Sequence, residues 1–314
     1  MNIAIVFPGQ GSQSVGMLSE YTESWPQIID TFKEASDVLG YDLWDIVSNG
    51  PVEKLNQTEI TQPAVLAADI AVMRVMAEQC MIKPFVLAGH SLGEYAALVV
   101  AKSIEFTDAI KLVAERGRLM QTAVPEGEGA MAAILNLTDE QIIEICQKVS
   151  AETNLIVEAV NFNSPGQVVI AGNTAAVDKA IELAKEEGAK RALKLPVSVP
   201  SHSSLMKPAA DQLAETLKTI TIKTPEIQVI HNVDAKSHDE PDAIRDALAK
   251  QLYNPVRWVE TAKIIGSAGD DAIVECGPGK VLSGLSRRIT KEVPTFALDT
   301  PAGMQKFLDS MDAS

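Results

Sequence analysis

Two alternations and one composition place this chain in the α/β class. From Ile3 onward, short apolar runs alternate with longer helical ones, the order of a parallel sheet with helices on both faces. Between residues 125 and 199 the order becomes β-α-β-β-α-β, that of a ferredoxin-like subdomain. The chain has 314 residues, 46% of them hydrophobic and 22% charged, an ordinary globular balance with ample material for a core. The expected division is a large α/β domain from 1–124 and 200–314, with 125–199 inserted as the small subdomain. Pro125-Glu-Gly-Glu-Gly129 marks one junction. A cleft between the two units is the natural place for a ligand.

The elements follow in order. Ile3 to Phe7 is an apolar run stopped by Pro8, a first strand. Helices are expected around Ser24 to Leu39 and Gln62 to Ala77. Pro84 to Ala88 is a short buried strand that leads, through a glycine-rich turn, into a helix with its interior at Tyr95 to Ala101. Thr107 to Val124 is a helix with one apolar side. In the middle region Ala130 to Leu137 is a strand, and Thr138 with Asp139 opens a helix reaching Val149. Leu155 to Asn161 and Gln167 to Ala171 are strands joined by the turn Asn163-Ser-Pro-Gly166. A helix from Thr174 stops at Gly188, and Arg191 to Val199 is expected as the last strand of this unit. Ala272 to Glu275 is a further strand, entering Gly277-Pro-Gly279 and a helix from Val281.

Charge and cysteine exclude several functions. The formal charge of −15 and the lack of any Lys/Arg cluster argue against nucleic acid. Lys190, Arg191, Lys194, Lys207, Arg287 and Arg288 are the loose basic candidates for meeting an acidic partner, each equally readable as solvated surface. Cys80, Cys146 and Cys276 are far apart, with neither a C-x-x-C nor a disulfide framework, so reduced thiols and no metal site are expected. No apolar run approaches 18 residues, and the first residues lack a basic n-region. A cytoplasmic protein without membrane contact is the expectation.

Gly89-His-Ser-Leu-Gly93 carries the chemistry. It is G-x-S-x-G on a step from strand to helix, the context in which the serine is a nucleophile. The competing reading is a helix cap, since Ser91 and Glu94 have capping-box spacing. A cap explains the serine and the glutamate but neither glycine. The loop Phe7-Pro-Gly-Gln-Gly-Ser-Gln13 lacks dinucleotide spacing, because residue 14 is serine where glycine is needed. It could bring main-chain N–H groups to a ligand, with the amides of Gln10 and Leu92 as an oxyanion site.

A serine nucleophile needs a base, and the chain has four histidines. His90 adjoins the serine and should point away from it; His238 lies in a polar, exposed run. His202 and His231 both follow apolar strands, and the residues alone leave the choice nearly even, with a slight tilt to His202 from Pro200-Ser-His-Ser-Ser. Arg116 is the most informative charge. On a wheel of ~100° per residue it falls inside the arc of Ile110, Val113, Gly117, Met120, Ala123 and Val124. An inward guanidinium must find an internal Asp or Glu, or else a ligand carboxylate that it can clamp.

Taken together, these residues resemble the malonyl-coenzyme A:acyl carrier protein transacylases of bacterial fatty-acid synthesis. The resemblance runs nearly end to end, through Phe7-Pro-Gly-Gln-Gly-Ser-Gln, Gly89-His-Ser-Leu-Gly-Glu, Asn161-Phe-Asn-Ser-Pro-Gly-Gln167, Pro200-Ser-His-Ser-Ser-Leu-Met-Lys-Pro208, Tyr253-Asn-Pro-Val256 and Glu275-Cys-Gly-Pro-Gly-Lys280. It implies a hydrolase-like α/β core with the ferredoxin-like insert. It also implies Ser91 as nucleophile, His202 as base, Arg116 on the malonyl carboxylate and the Gln10 and Leu92 amides on the oxyanion. The Gln251 main-chain carbonyl would orient the histidine, and Asn161 to Gln167 would help to bind coenzyme A or a pantetheine arm. The implied substrates are malonyl-coenzyme A and acyl carrier protein, with no cofactor or metal, in a monomer. Two alternatives are a thioesterase using the same serine and a polyketide-pathway acyltransferase.

Overall fold

The computed structural model describes residues 2–268 and 271–312. The larger sheet has five parallel strands in the order β7-β2-β1-β8-β9. They are β1 (Ile3–Phe7), β2 (Val86–Gly89), β7 (Gln228–Ile230), β8 (Ala272–Glu275) and β9 (Thr295–Ala297). β1 is at the centre, paired as Phe7 with Gly89 on one side and Val6 with Glu275 on the other. Its five residues are all buried because both faces are covered, as parallel sheets require. Ile3, Ile5 and Phe7 join one core with the helices Gln27–Leu39, Thr58–Gln79 and Phe106–Thr122. Ala4 and Val6 point the other way, onto Trp258, Ile265, Leu282 and Leu285. This alternation is the two-residue period of a strand.

The second sheet is antiparallel, built from β3 (Gly129–Leu135), β4 (Val157–Ser164), β5 (Gln167–Asn173) and β6 (Arg191–Lys194) in the order β4-β5-β3-β6. Helices Asp139–Thr153 and Thr174–Glu186 cover one face. The first of these has a complete capping box, Thr138 with Gln141, which fixes its start as Thr138 and Asp139 suggest. Chain order and pairing give the expected β-α-β-β-α-β unit.

Two expectations change. The strand expected over Arg191 to Val199 ends at Lys194. Pro196 has no N–H to offer the ladder, and Leu195 and Val197 instead pack against Met131, Val160 and Val169. The helix expected from Gln62 starts at Thr58 and runs to Gln79. By length and composition it is apolar enough to cross a membrane, but 83% of the apolar stretch is buried within the protein. It is a core helix, apolar all round because it is surrounded.

All strands of the large sheet run the same way, so the loops that leave β1, β2 and β7 gather at one edge. Ligands of α/β sheets bind beyond the carboxyl ends of the strands. Gly9–Gln10, His90–Leu92 and His231–Asn232 all follow those ends, and Gln10, His90 and Ser91 share one cavity with the segment 195–199 and Asn161 of β4.

Candidate active site

The chain leaves β2 at Gly89 and turns so sharply that Ser91 sits at φ +52°, a left-handed conformation that a non-glycine residue holds only when its surroundings enforce it. The two glycines make the turn possible. A Cβ on Gly89 would lie 1.9 Å from the Gly93 carbonyl carbon, and one on Gly93 would lie 2.1 Å from the Phe7 oxygen. Asn232 braces the turn: its Oδ1 accepts from the Ser91 N–H at 2.6 Å and its Nδ2 donates to the Gly89 carbonyl at 2.6 Å. The helix Gly93–Val100 has no side-chain cap. Glu94 is instead fully buried and points to His231, so the capping-box reading of Ser91 does not hold.

Ser91 Oγ lies 2.7 Å from His202 Nε2. His202 Nδ1 lies 2.7 Å from the Gln251 main-chain oxygen. A carbonyl only accepts, so the proton of the neutral ring is on Nδ1, and Nε2 is left to receive the serine hydroxyl. Burial pulls the His202 pKa down to about 3, helped by the positive charge of Arg116. The ring is therefore neutral at pH 7. His202 is itself at φ +65°, with its N–H donating to the Leu252 carbonyl.

Arg116 reaches the same point from the helix Phe106–Thr122. It is 1% exposed and donates from Nη2 to Ser91 Oγ at 3.2 Å and to Gln251 Oε1 at 2.9 Å, and from Nη1 to Gln62 Oε1 at 2.8 Å. Its carbon stands 5.5 Å from the Tyr95 ring centroid, and its buried Nε has no acceptor. No carboxylate makes an ion pair with it among the described residues. Of the two partners open from the sequence, the internal acid is not present. Burial lowers its pKa, opposed by Tyr95 and Glu94. A guanidinium buried among neutral amides is poised for an anion.

The loop after β1 lies against the serine turn: a Cβ on Gly9 would be 2.4 Å from the His90 oxygen and 3.7 Å from the Leu92 nitrogen. Among the described residues the Gln10 and Leu92 main-chain N–H groups have no acceptor in the protein. Ser91, His202, Arg116, Gln10 and Asn161 line one cavity of about 370 Å³, closed on the far side by Met131 and by Leu195, Pro196 and Val197. Asn161 Oδ1 is buried without a partner. Gln167 is placed elsewhere. Its Oε1 accepts from Arg288 at 2.8 Å, in a separate hollow with Lys190 and Arg191.

The other histidines separate clearly. His90 points away from the serine, with Nε2 2.8 Å from Asn163 Oδ1. His238 is half-buried against Asp234 rather than exposed. His231, the rival base, is bound to Glu94 Oε1 at 2.7 Å. Three neighbours were not singled out in the sequence: Gln62, Asn232 and the side chain of Gln251. None carries a local signal, because each works through contacts made across the fold; Glu94 has a local signal, but as a cap partner of Ser91 and not as the partner of His231 and Gln251.

A serine on a strained strand-to-helix turn, paired to a neutral histidine and facing free main-chain donors, is the arrangement of enzymes that carry an acyl group on serine. The comparisons agree. The family described as acyl transferase domain matches residues 4–308, and the chain belongs to it. It is 57% identical over 300 residues to the malonyl CoA-acyl carrier protein transacylase of Haemophilus influenzae, covering 95% of this chain and 96% of that one. The structure of the malonyl CoA-acyl carrier protein transacylase from Coxiella burnetii superposes with a TM-score of 0.96 at 49% identity, covering 98% and 97%. A malonyl-transacylase in complex with its type II PKS acyl-carrier protein matches at TM-score 0.96 and 52% identity, covering 99% and 100%. The chain is an acyltransferase of α/β architecture with an antiparallel insert.

Proposed function

We propose that this enzyme moves a malonyl group from malonyl-coenzyme A to the phosphopantetheine thiol of acyl carrier protein, through a malonyl ester on Ser91, and so supplies fatty-acid synthesis. In this reading His202 Nε2 takes the Ser91 proton as Oγ attacks the thioester carbonyl. The oxyanion rests between the Gln10 and Leu92 amides, and the histidine returns its proton to the departing coenzyme A thiolate. The carrier thiol then enters the same cavity and reverses the steps, giving ping-pong kinetics. The units 1–124 with 200–314, and 125–199, are taken as the two walls of the cleft, with Asn161 on the second wall toward the pantetheine arm. Gln167, beside Arg288, is assigned to the outer, phosphate-bearing end of the same ligand. Every step uses protein groups and substrates, with no cofactor.

The observation that carries this reading is Arg116. It is buried 3.2 Å from Ser91 Oγ with only neutral partners, so the acyl group that completes the site has a carboxylate one methylene from its thioester carbon. Intact mass of the wild type mixed with malonyl-coenzyme A is expected to show a malonyl adduct that carrier protein removes and that Ser91→Ala never forms. Free malonate without an adduct would favour a thioesterase. Arg116→Ala is expected to lower malonyl transfer by roughly 30-fold or more, the cost of a lost buried charge contact, and to spare acetyl transfer. Equal loss on both donors would remove the clamp. The polyketide carrier in the complexed relative supports a second acceptor, and the relative transfer rates to the two carrier types decide between them.

A further inference from the structure

Glu94 is a buried carboxylate beside the reacting groups that this mechanism leaves unused. It is fully buried in the first turn of the helix Gly93–Val100. Its Oε1 accepts from His231 Nδ1 at 2.7 Å, and its Oε2 accepts from the Asn232 N–H at 2.9 Å and from Gln251 Nε2 at 2.9 Å. A carboxylate only accepts, so His231 gives Glu94 its Nδ1–H, and its Nε2 has no hydrogen-bond partner. Arg116 is a buried cation held by uncharged oxygens.

The Gln251 side chain joins them. Its Oε1 accepts from Arg116 at 2.9 Å, while its Nε2 donates to Glu94 and, at 3.0 Å, to the Ser91 carbonyl. A guanidinium only donates and a carboxylate only accepts, so an amide between them has a single consistent orientation. We propose that Glu94 is the counter-ion of Arg116, relayed through the neutral amide of Gln251, and that this spacing sets how firmly the arginine holds a carboxylated acyl group. The proposal rests on the reading of Arg116 as the carboxylate holder. A carboxylate in contact with Arg116 would occupy the place of the substrate's own. With no counter-ion at all, the buried charge would be unbalanced. One amide's width leaves the charge balanced and the binding edge free, because Coulomb attraction falls only as the inverse of distance.

Glu94→Gln tests this by removing the charge at constant volume. The new amide oxygen can serve Asn232 and Gln251, while its NH2 faces His231 in the other tautomer. The KM for malonyl-coenzyme A is expected to fall about 5- to 10-fold, since Arg116 then answers only to the substrate. The kcat should change less than about twofold, because the carboxylate is held alike in ground and transition states. The KM for acetyl-coenzyme A should not move. In an Arg116→Ala background, Glu94→Gln should have no effect on malonyl. An unchanged or raised malonyl KM, an equal shift on both donors, or a shift that survives in Arg116→Ala overturns the relay. If Arg116→Ala alone leaves the preference for malonyl intact, the arginine reading fails first and the relay with it. Should Glu94→Gln not fold, Glu94→Asp keeps the charge. Its malonyl-to-acetyl ratio should stay within about twofold of wild type, and loss of the preference would overturn the proposal.

Discussion

Two buried histidines, each on a loop beyond an apolar segment, serve this site from different places. His202, on the loop Pro200–Ser203, presents Nδ1 to a main-chain carbonyl and Nε2 to Ser91 Oγ. His231, just past β7, presents Nδ1 to the Glu94 carboxylate, and its Nε2 meets nothing. The two residues are equally buried and similarly flanked in sequence. They differ in what each nitrogen faces. A histidine can act as a base when one nitrogen is fixed and the other is aimed at a proton; His231, with Nδ1 tied to Glu94 and Nε2 facing no hydroxyl, is a bracket. His231 fixes Glu94, which fixes Asn232 and Gln251, and those two hold the serine turn and the arginine.

Substitution should separate the pair most widely. His202→Ala is expected to lower the single-turnover rate of Ser91 acylation by about 10²- to 10⁴-fold, the range for loss of a general base, with little change in melting temperature. His231→Asn should do the reverse, lowering the melting temperature while acylation falls only several-fold. Equal kinetic losses would erase the distinction between the two rings.

The pH dependence should be the next largest effect. With the His202 pKa held at about 3 by burial and Arg116, the neutral base persists well below the usual histidine range. Acylation by malonyl-coenzyme A should therefore vary less than about twofold between pH 8 and pH 5. An acid limb near pH 6.5 would show a ring that titrates like an exposed one. The sign for stability is the same: a depressed histidine contributes above its unfolded value and loses that contribution as pH falls from about 6.5 toward 3.

The smallest effect comes from the opposite edge of β1. Asp69 is fully buried with both oxygens unpartnered, and burial, then Glu275, raises its pKa well above the ordinary value. Glu275 is pushed up to about 7 by burial, against the two N–H groups of Leu282 and Ser283 that it accepts. Both carboxyls bind a proton more readily in the folded chain than in the unfolded one. Their contribution is complete below the unfolded carboxyl range and is lost as pH rises through the folded values. Between pH 6.5 and 8.5 His202 contributes no slope, so the wild-type melting temperature should fall there. Glu275→Gln should flatten that fall by roughly 2–4 °C. An unaltered slope would assign it to other groups.

Much of the fold was legible in the chain. Apolar runs at Ile3–Phe7 and Ala272–Val274 mark buried parallel strands, and Thr138 with Asp139 marks a helix start. Such signals are local: they depend on side-chain period and turn chemistry within a few residues. Gly89 belongs to this class, since the close approach it permits is to its own turn, whereas Gly93 makes room for Phe7 on the neighbouring strand. The strand does not continue past Lys194, because the apolar pattern of Leu195 and Val197 is shared by a strand and by a segment laid over a sheet face.

The sequence by itself determined the α/β class, the insert, the serine turn and the inward-facing Arg116. Those follow from periodicity and from the cost of burying charge. Only the tertiary structure decided which histidine meets Ser91, that Arg116 has no acidic partner, and that Glu94, Asn232, Gln62 and Gln251 hold the site. Each of those contacts joins positions 25 to 160 residues apart, where no local pattern in the chain records which side chain will face which.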